Sequence, residues 1–363
     1  TMTDQGATPR ADSTTGGGRP TLELGLDTFG DIASDDNGQP LHAATVVREV
    51  LAEGQLADRL GLDFFGVGEH HRPDYAISAP DTALAGLATT TEQIRLGTSV
   101  TVLSSDDPIR VFERFSTVDA LSNGRAEITV GRGSFVESFP LFGYRLEDYE
   151  ALFSEKLDLL ARVLTERPFS WSGSVRPAVQ AGPIMPPTES GHLRTWVGVG
   201  GTPASVVRAA SHGMPIVIAI IGGATEGFVP LADLFRRACT EYGHEGLPIG
   251  VHSPGHVAET DEQAAQEYLP HFIEQMRKLG AERGWPPMSE AAARQQIGPS
   301  GAVYCGSPET VAQKIAATLR TLGASRFQFK YSNGRLPHEL RMSSIRLFGE
   351  QVAPRVRELL AVG

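Results

Sequence analysis

The stretch Leu62-Asp63-Phe64-Phe65-Gly66-Val67-Gly68-Glu69-His70-His71 begins as a short apolar run and ends in one carboxylate and two imidazoles. A parallel strand that is buried on both faces is almost continuously apolar, and polar side chains begin where it leaves the core. The stretch therefore predicts a barrel strand over residues 62–68 with functional groups at its end. Glu69, His70 and His71 are the first candidate catalytic residues.

Short β-type runs alternate with helical patterns along the rest of the chain, which is typical of a parallel sheet with crossover helices. We expect strands at residues 22–29, 62–68, 94–103, 125–130, 195–199, 216–221, 249–253 and 327–331. We expect helices at residues 43–60, 82–91, 107–121, 148–164, 204–211, 226–242, 262–276, 310–322 and 337–360. This pattern predicts an α/β fold, a (β/α)8 TIM barrel, whose active site lies at the C-terminal ends of the strands.

The length of 363 residues suits one barrel of roughly 250 residues with insertions. Residues 1–20 are rich in Thr, Gly, Asp and Ser, so we expect a disordered tail rather than a signal peptide or membrane anchor. Residues 21–363 are expected to form a single domain. Two segments without a clear period, 167–194 and 278–300, are expected to be insertions at the C-terminal mouth of the barrel.

The composition narrows the class of function. A formal net charge of -11 and few Lys or Arg clusters argue against nucleic acid or an anionic membrane as partner. Cys239 and Cys305 lie far apart without metal-binding spacing, so both are expected to be reduced and structural. No run of about 18 apolar residues occurs, so no membrane-spanning helix is expected. With its reduced thiols, the chain is expected to be cytoplasmic. Its charge and composition favour an enzyme for a small molecule.

A glycine-rich segment before the helix at 204–211 suggests a phosphate site. Gly200 and Gly201 let the backbone approach a ligand, and Thr202 is a good helix N-cap. Free amides at the helix start, with the hydroxyls of Thr202 and Ser205, would form a cup for a phosphate. Arg132, after the fourth strand, would add a forked cationic donor. An ordinary capped helix is the alternative for the segment alone, and the pairing with Arg132 favours the phosphate.

Three interpretations of Glu69, His70 and His71 stay open. Neighbouring residues on a strand point to opposite faces, so the two imidazoles are poorly placed to share a metal ion, and no metal site is expected. A structural pair that caps the strand end is a second interpretation. We favour a third, in which one imidazole faces the cavity and gives or takes a proton near neutral pH.

Further motifs follow in a fixed order along the chain. They are Glu-His-His at 69–71, Leu-Gly-Thr-Ser-Val-Thr-Val-Leu at 96–103, Asp-Pro-Ile-Arg at 107–110, Leu-Ser-Asn-Gly-Arg at 121–125, Val-Gly-Arg-Gly at 130–133, Gly-Met-Pro at 213–215, Gly-Ser-Pro-Glu at 306–309 and Gln-Val-Ala-Pro at 351–354. In type and order they resemble the motifs of the bacterial-luciferase-like flavin monooxygenases, across nearly the whole chain after the tail.

The resemblance implies a TIM barrel that binds reduced FMN and oxidises a small organic substrate with O2 through a C4a-peroxyflavin. Its phosphate site would match Arg132 with the segment at 200–205 already described. A non-proline cis peptide would fall at Ser99-Val100, against the flavin ring. The active-site histidine of the family matches His70, and the neighbouring His71 matches as well.

Departures from the family pattern keep the substrate and cofactor open. Gly131 stands where true luciferases have a reactive cysteine, and Ala219-Ile220-Ile221 replaces a tryptophan-containing strand end, so light emission is not indicated. No dinucleotide-binding fingerprint follows the first strand, which implies a separate flavin reductase as partner. The family also implies a homodimer. F420-dependent hydride transfer and a non-catalytic flavin-binding barrel are the two alternative functions.

Overall fold

The structure is a computed structural model that describes residues 21–35 and 37–361, so the expected tail at 1–20 lies outside the described residues. The strands are β1 (Glu23–Thr28), β2 (Phe64–Val67), β3 (Arg95–Thr98), β4 (Thr101–Val102), β5 (Glu127–Gly131), β6 (Phe169–Trp171), β7 (Val179–Ala181), β8 (Arg194–Val199), β9 (Ile216–Ala219), β10 (Ile249–Val257), β11 (Tyr304–Gly306) and β12 (Arg326–Lys330).

The helices connect these strands along the outside of the sheet. They are α1 (Ala43–Arg59), α2 (Pro80–Ala88), α3 (Pro108–Leu121), α4 (Ser138–Leu141), α5 (Tyr149–Val163), α6 (Pro203–Ser211), α7 (Val229–Tyr242), α8 (Asp261–Arg283), α9 (Glu290–Ile297), α10 (Pro308–Leu322), α11 (His338–Leu347) and α12 (Ala353–Ala361). A π-helical turn, Phe348–Val352, joins the last two helices.

The main sheet is a parallel barrel. Its strands pair in the order β3-β2-β1-β12-β10-β9-β8-β5-β4, and β3 and β4 are the two halves of one bent strand, so eight strand positions surround the barrel. A parallel bridge between Leu96 and Ala126 joins the two ends of this order. The expected α/β TIM barrel is confirmed, and all eight expected strands are present.

Alternation along β1 explains how the strands divide polar from apolar side chains. Leu24 and Leu26 belong to one apolar cluster with Val46 and Val50 of α1. The residues of the opposite face form polar contacts across the inside of the barrel, and Asp27 bonds His252 there. Because side chains alternate with period two, each strand packs apolar groups under the helices and places the others inside the barrel.

The first expected insertion requires a correction. Residues 169–181 contain a hairpin of β6 and β7 that packs on the outer side of α5. The indole Nε1 of Trp171 donates to Asp158 at 3.0 Å, and the Ser174 hydroxyl donates to Glu155 at 2.7 Å. The segment 167–194 therefore lies along a barrel helix, and none of its residues lines the cavity at the mouth described below.

The second expected insertion does lie at the mouth, but most of it is regular. Helix α8 continues to Arg283, beyond the expected end at residue 276, and α9 occupies 290–297. Tyr268, Leu269 and Phe272 of α8 form a second apolar core with Ala293 of α9. Sequence periodicity missed this because both helices have a weakly amphipathic pattern, in which small and polar residues separate the apolar ones.

Candidate active site

Residues of four barrel strands form a polar network inside the barrel, on the side of the mouth. Asp27 of β1 is fully buried, and its Oδ2 lies 2.7 Å from Nδ1 of His252 on β10. The Ser99 hydroxyl donates to Gln328 Oε1 at 3.1 Å and lies 3.3 Å from Asp27 Oδ2. A carboxylate only accepts hydrogen bonds, so Nδ1 of His252 is the donor in this pair.

The Asp27–His252 pair was missed in the sequence. The two residues are 225 positions apart, so no local motif joins them. The available signal was positional, since each is a charged or titratable residue within a mostly apolar strand. Two buried atoms of the network, Asp27 Oδ1 and Gln328 Nε2, lack a hydrogen-bond partner among the described residues. Buried polar groups without a partner are candidates for contact with a ligand or an ordered water.

His70 lies in an enclosure of aromatic rings. Its ring centroid is 4.4 Å from Tyr75, 4.5 Å from Phe29 and 5.4 Å from Phe135. Burial lowers the pKa of His70 to about 3, although the carboxylate of Asp31 acts in the opposite direction. The imidazole is therefore neutral at pH 7, with one N–H donor and one acceptor nitrogen.

Glu69 and His71 face away from that enclosure and bond to each other. Glu69 Oε1 lies 2.8 Å from His71 Nε2, and its Oε2 accepts from the Val102 amide at 2.8 Å. The His71 ring packs edge-on against Phe142, with centroids 5.1 Å apart. Both oxygens of Glu69 are thus engaged, and the carboxylate holds β4 beside the end of β2.

The third strand bends between its two halves. The Ser99-Val100 peptide is cis, as the family resemblance implied. The Val100 side chain packs against the neighbouring strand β5, and a Cβ added at Gly131 would meet Val100 Cγ2 at 2.8 Å. A cysteine at position 131 would therefore require Val100 to move. Gly131 thus leaves the space that Val100 occupies at the bend of the third strand.

The expected phosphate cup brings its parts together. Arg132 Nη2 donates to the Ser205 hydroxyl at 3.2 Å. Thr202 occupies the N-cap position of α6, as expected, but its side chain makes no capping hydrogen bond. Nothing lies within 4 Å of a Cβ added at Gly200 or Gly201, and Gly201 has a φ of 140°, which side-chain-bearing residues rarely adopt. The backbone at this helix start is therefore open to a ligand.

The cup also contains charged groups that the sequence interpretation overlooked. Arg208, one turn after Ser205 on α6, donates to Glu150 Oε2 at 3.0 Å. Glu150 Oε1 in turn accepts from Arg132, so one carboxylate joins the two guanidinium groups. The spacing of Ser205 and Arg208, three residues apart on a helix, could have shown that they share a face.

A cavity of about 280 Å³ lies between α8 and the loops that follow β1, β2 and β12. Tyr75 and Phe135 line it, so the His70 enclosure forms part of its wall. Phe135 also lines a second hollow, of about 290 Å³, that reaches Tyr149 beside Arg132. The loop that carries Phe135 therefore lies between the cavity and the cup.

The described residues hold no group of three or more His, Cys, Asp or Glu that could bind a metal ion. Cys239 and Cys305 are buried and unpaired, and burial raises their thiol pKa values, to about 11 and about 12. Across residues 21–35 and 37–361, no helix has the length and apolar character needed to cross a membrane.

Comparison with known proteins assigns the family. The model of the family described as luciferase-like monooxygenase matches residues 28–326. The chain belongs to the luciferase-like monooxygenase family. It is thus an oxidoreductase, built on the barrel with the bent third strand described above.

Curated members of the luciferase-like family are distant relatives in sequence. The 4-hydroxyprotoasukamycin monooxygenase of Streptomyces nodosus is 27% identical over 249 residues, which cover 66% of this chain and 67% of that protein. The alkanal monooxygenase alpha chain of Photorhabdus laumondii is 25% identical over 251 residues, which cover 63% of this chain and 64% of that protein. The aligned part thus spans less than two thirds of that alpha chain, and 61% of a further relative from Sinorhizobium fredii.

Solved structures of the luciferase-like barrel cover almost the whole chain. Monooxygenase RslO1 from Streptomyces bottropensis has a TM-score of 0.80 and 23% identity, covering 92% of this chain and 99% of that one. The oxygenating constituent of 3,6-diketocamphane monooxygenase from Pseudomonas putida, in complex with FMN, has a TM-score of 0.73, 18% identity and coverages of 93% and 99%. The F420-dependent tetrahydromethanopterin reductase of Methanopyrus kandleri has a TM-score of 0.70 and 16% identity, covering 93% of this chain and 100% of that one.

Proposed function

We propose that the protein is an FMN-dependent monooxygenase that uses reduced FMN and O2 to oxidise a small organic substrate. The observation that carries this proposal is the anion cup of Arg132 and Ser205, which opens at the same barrel mouth as the bent third strand and the His70 enclosure. A phosphate in the cup would place an attached ring system toward the bend. The FMN complex of the diketocamphane enzyme, on the same fold, supports this choice of cofactor.

The residues divide the work as follows. Arg132, Thr202 and Ser205 hold the phosphate through a guanidinium fork, two hydroxyls and the open helix start. The Ser99-Val100 bend forms the floor for the ring. Reduced FMN supplies the electrons with which O2 is activated. The chain itself orients the cofactor, and the loop with Phe135 and helix α8 cover the mouth and limit the access of water.

His70 is the proposed proton-handling residue. Its neutral imidazole offers an N–H to a developing oxygen anion and an acceptor nitrogen to a leaving proton. Glu69 and His71 act through position, because their bonds to each other and to the Val102 amide fix the strand ends around His70. His252, whose ring is held by Asp27, is stacked on the Phe29 ring with centroids 5.8 Å apart, which makes it a second imidazole near the His70 enclosure.

Direct binding tests the cofactor assignment. The protein should bind FMN in a fluorescence titration, and Arg132→Ala should raise the dissociation constant about tenfold or more, because it removes charged hydrogen bonds to the phosphate. Mixing the reduced complex with O2 should then oxidise the flavin. Unaltered FMN affinity in Arg132→Ala would remove the cup from the proposal.

The role of His70 needs its own test. His70→Ala should change the rate and the pH dependence with which the reduced complex releases H2O2 in the absence of substrate. FMN affinity should stay near that of the wild type, since His70 lies outside the cup. If H2O2 release and its pH profile are the same in both proteins, His70 does not handle a proton.

F420-dependent hydride transfer is the second candidate. The barrel of the F420-dependent tetrahydromethanopterin reductase superposes on this chain over nearly its full length, which supports a site of compatible shape. Tight binding of F420, with anaerobic turnover and no reaction with O2, would favour this candidate over the monooxygenase. A non-catalytic barrel would be favoured if the expected insertion at 167–194 blocked the cavity, but that segment lies along α5 and does not line it.

Assembly and location extend the proposal. We propose a cytoplasmic homodimer that receives reduced FMN from a separate flavin reductase, as the family resemblance implies. A molar mass of one chain by light scattering would contradict the dimer. Oxidation of NAD(P)H by the purified protein and FMN alone would contradict the separate reductase.

A further inference from the structure

Glu150 is the centre of a small charge cluster at the cup. Its two oxygens contact two different guanidinium groups, Arg132 through Oε1 and Arg208 through Oε2 at 3.0 Å. Among the described residues these are its hydrogen-bond partners. Glu150 lies in the first turn of α5, and its side chain is 59% exposed, so another rotamer can take the carboxylate out into solvent.

The charges of the cluster do not balance. Two guanidinium groups and one carboxylate leave one positive charge, and Nη1 of Arg208 is buried without a hydrogen-bond partner among the described residues. The guanidinium groups are also held in place from behind. Arg132 lies over the ring of Tyr149, 4.9 Å from its centroid, and Arg208 over that of Phe153 at 5.7 Å. This is a preorganised anion site occupied by a single negative charge.

We propose that Glu150 occupies the position of the cofactor phosphate in the free protein, and that Arg208 is a second guanidinium ligand of that phosphate once Glu150 moves away. A terminal phosphate monoester carries about 1.5 to 2 negative charges at pH 7. It therefore neutralises both guanidinium groups, whereas a phosphodiester carries one charge and only replaces Glu150. The site thus prefers a terminal phosphate, as in FMN, to an internal phosphodiester, as in F420. This inference rests on the proposed flavin function.

The experiment compares FMN with riboflavin, which differ only in the phosphate, by equilibrium fluorescence titration of the full protein. The ratio of the dissociation constant of riboflavin to that of FMN measures how much the phosphate strengthens binding. Arg208→Gln should lower this ratio about tenfold or more, since it removes charge-assisted hydrogen bonds to phosphate. Arg208→Lys should recover part of the loss. Glu150→Gln should raise the ratio several-fold, because the phosphate no longer displaces an anion, while riboflavin binding stays unchanged.

Arg162→Gln is the matched control, because Arg162 lies on α5, is half exposed and pairs with Asp158 outside the cup. It should leave the ratio unchanged. A ratio in Arg208→Gln equal to that of the wild type overturns the role of Arg208, and weaker FMN binding in Glu150→Gln overturns the role of Glu150. Tighter binding of F420 than of FMN overturns the preference.

Failure of the proposed function has a different signature. In that case the wild-type protein binds neither flavin, or binds FMN and riboflavin equally, before any variant is compared. Thermal melting of each variant without ligand confirms that it is folded. The opposite directions expected for Arg208→Gln and Glu150→Gln also exclude a general loss of structure as the cause.

Discussion

The two ends of the barrel interior use charged residues in opposite ways. At the N-terminal end Glu23, Glu127, Arg194 and Arg326 form a buried cluster, in which Arg326 Nη2 lies 2.5 Å from Glu127 Oε1 and Arg194 Nη1 lies 2.5 Å from Glu23 Oε1. Each carboxylate there lies beside a guanidinium group. At the mouth, Asp27 pairs with an imidazole and keeps one oxygen without a partner among the described residues.

Single strands contribute residues both to the charge cluster at the N-terminal end and to the polar network at the mouth. Strand β1 supplies Glu23 to one end and Asp27 to the other, and β12 supplies Arg326 and Gln328. Burial would raise the pKa of Glu23, but the guanidinium groups of Arg326 and Arg194 outweigh it and lower this pKa. The N-terminal cluster is therefore held by pairs of opposite charges, whereas at the mouth Asp27 pairs with the imidazole of His252.

The largest expected effect comes from breaking the N-terminal cluster. Arg326→Met should lower the free energy of unfolding by about 3 to 5 kcal/mol, because Glu23 and the buried Glu127 lose the guanidinium that pairs with both, and Glu127 keeps only the more distant charge of Arg194. Urea unfolding measures the change. The double variant Arg326→Met with Glu127→Met should recover much of it, since an apolar pair replaces the ion pair. Equal losses in both variants would show that packing, and not charge pairing, is what Arg326 provides.

Acid sensitivity sharpens the comparison at the mouth. The folded pKa of His70 is about 3, below the ordinary value of 6.5, so the unfolded chain binds its proton first. Stability should therefore fall as the pH drops from 6.5 toward 3, by up to about 1.4 kcal/mol per pH unit from this residue. His70→Asn should flatten this part of the curve. The same substitution at the exposed His192 is the control, and an unchanged slope in His70→Asn would disprove the assignment.

The cause of the His70 shift can be tested at Phe135. Phe135→Ala opens one wall of the ring enclosure, so the pKa of His70 should rise from about 3 toward its ordinary value. Histidine NMR titration measures the change. Phe142→Ala is the matched control, because Phe142 packs on His71 instead. A pKa of His70 that does not move would mean that Phe135 does not help to desolvate it.

The smallest effect is expected for an ion pair on the outer side of the mouth. Arg72 Nη2 lies 2.7 Å from Glu282 Oε1, and the Glu282 side chain is 40% exposed. Glu282→Gln should cost less than about 1 kcal/mol of unfolding free energy, because water replaces the lost charge contact. The same urea assay serves. A loss close to that of Arg326→Met would contradict the division between the two ends.

Local sequence signals predicted much of this molecule. The apolar run before Glu69 located a barrel strand, and the segment at 200–205 located an open helix start, because each signal lies within a few residues. Arg132 was added to that segment because both follow strands of the expected barrel. The Asp27–His252 pair could not be found in this way, since it joins distant strands. Glu150 and Arg208 are ordinary charged helix residues in the sequence, and only the packing of α5 against α6 brings them together.

Helix α8 attaches to the mouth by two kinds of contact. Its first half is held by buried Tyr268, Leu269 and Phe272, whereas its second half contacts the loop after β2 through Lys278 and Glu282. The distance over which charges interact falls from about 10 Å at 0.1 M salt to about 3 Å at 1 M, and apolar contacts do not weaken in this way. Ionic strength therefore acts more strongly on the second half of this cover, whose charged contacts are exposed. Salt should speed deuterium uptake in residues 273–283 before 261–272, and with it the entry and exit of ligands.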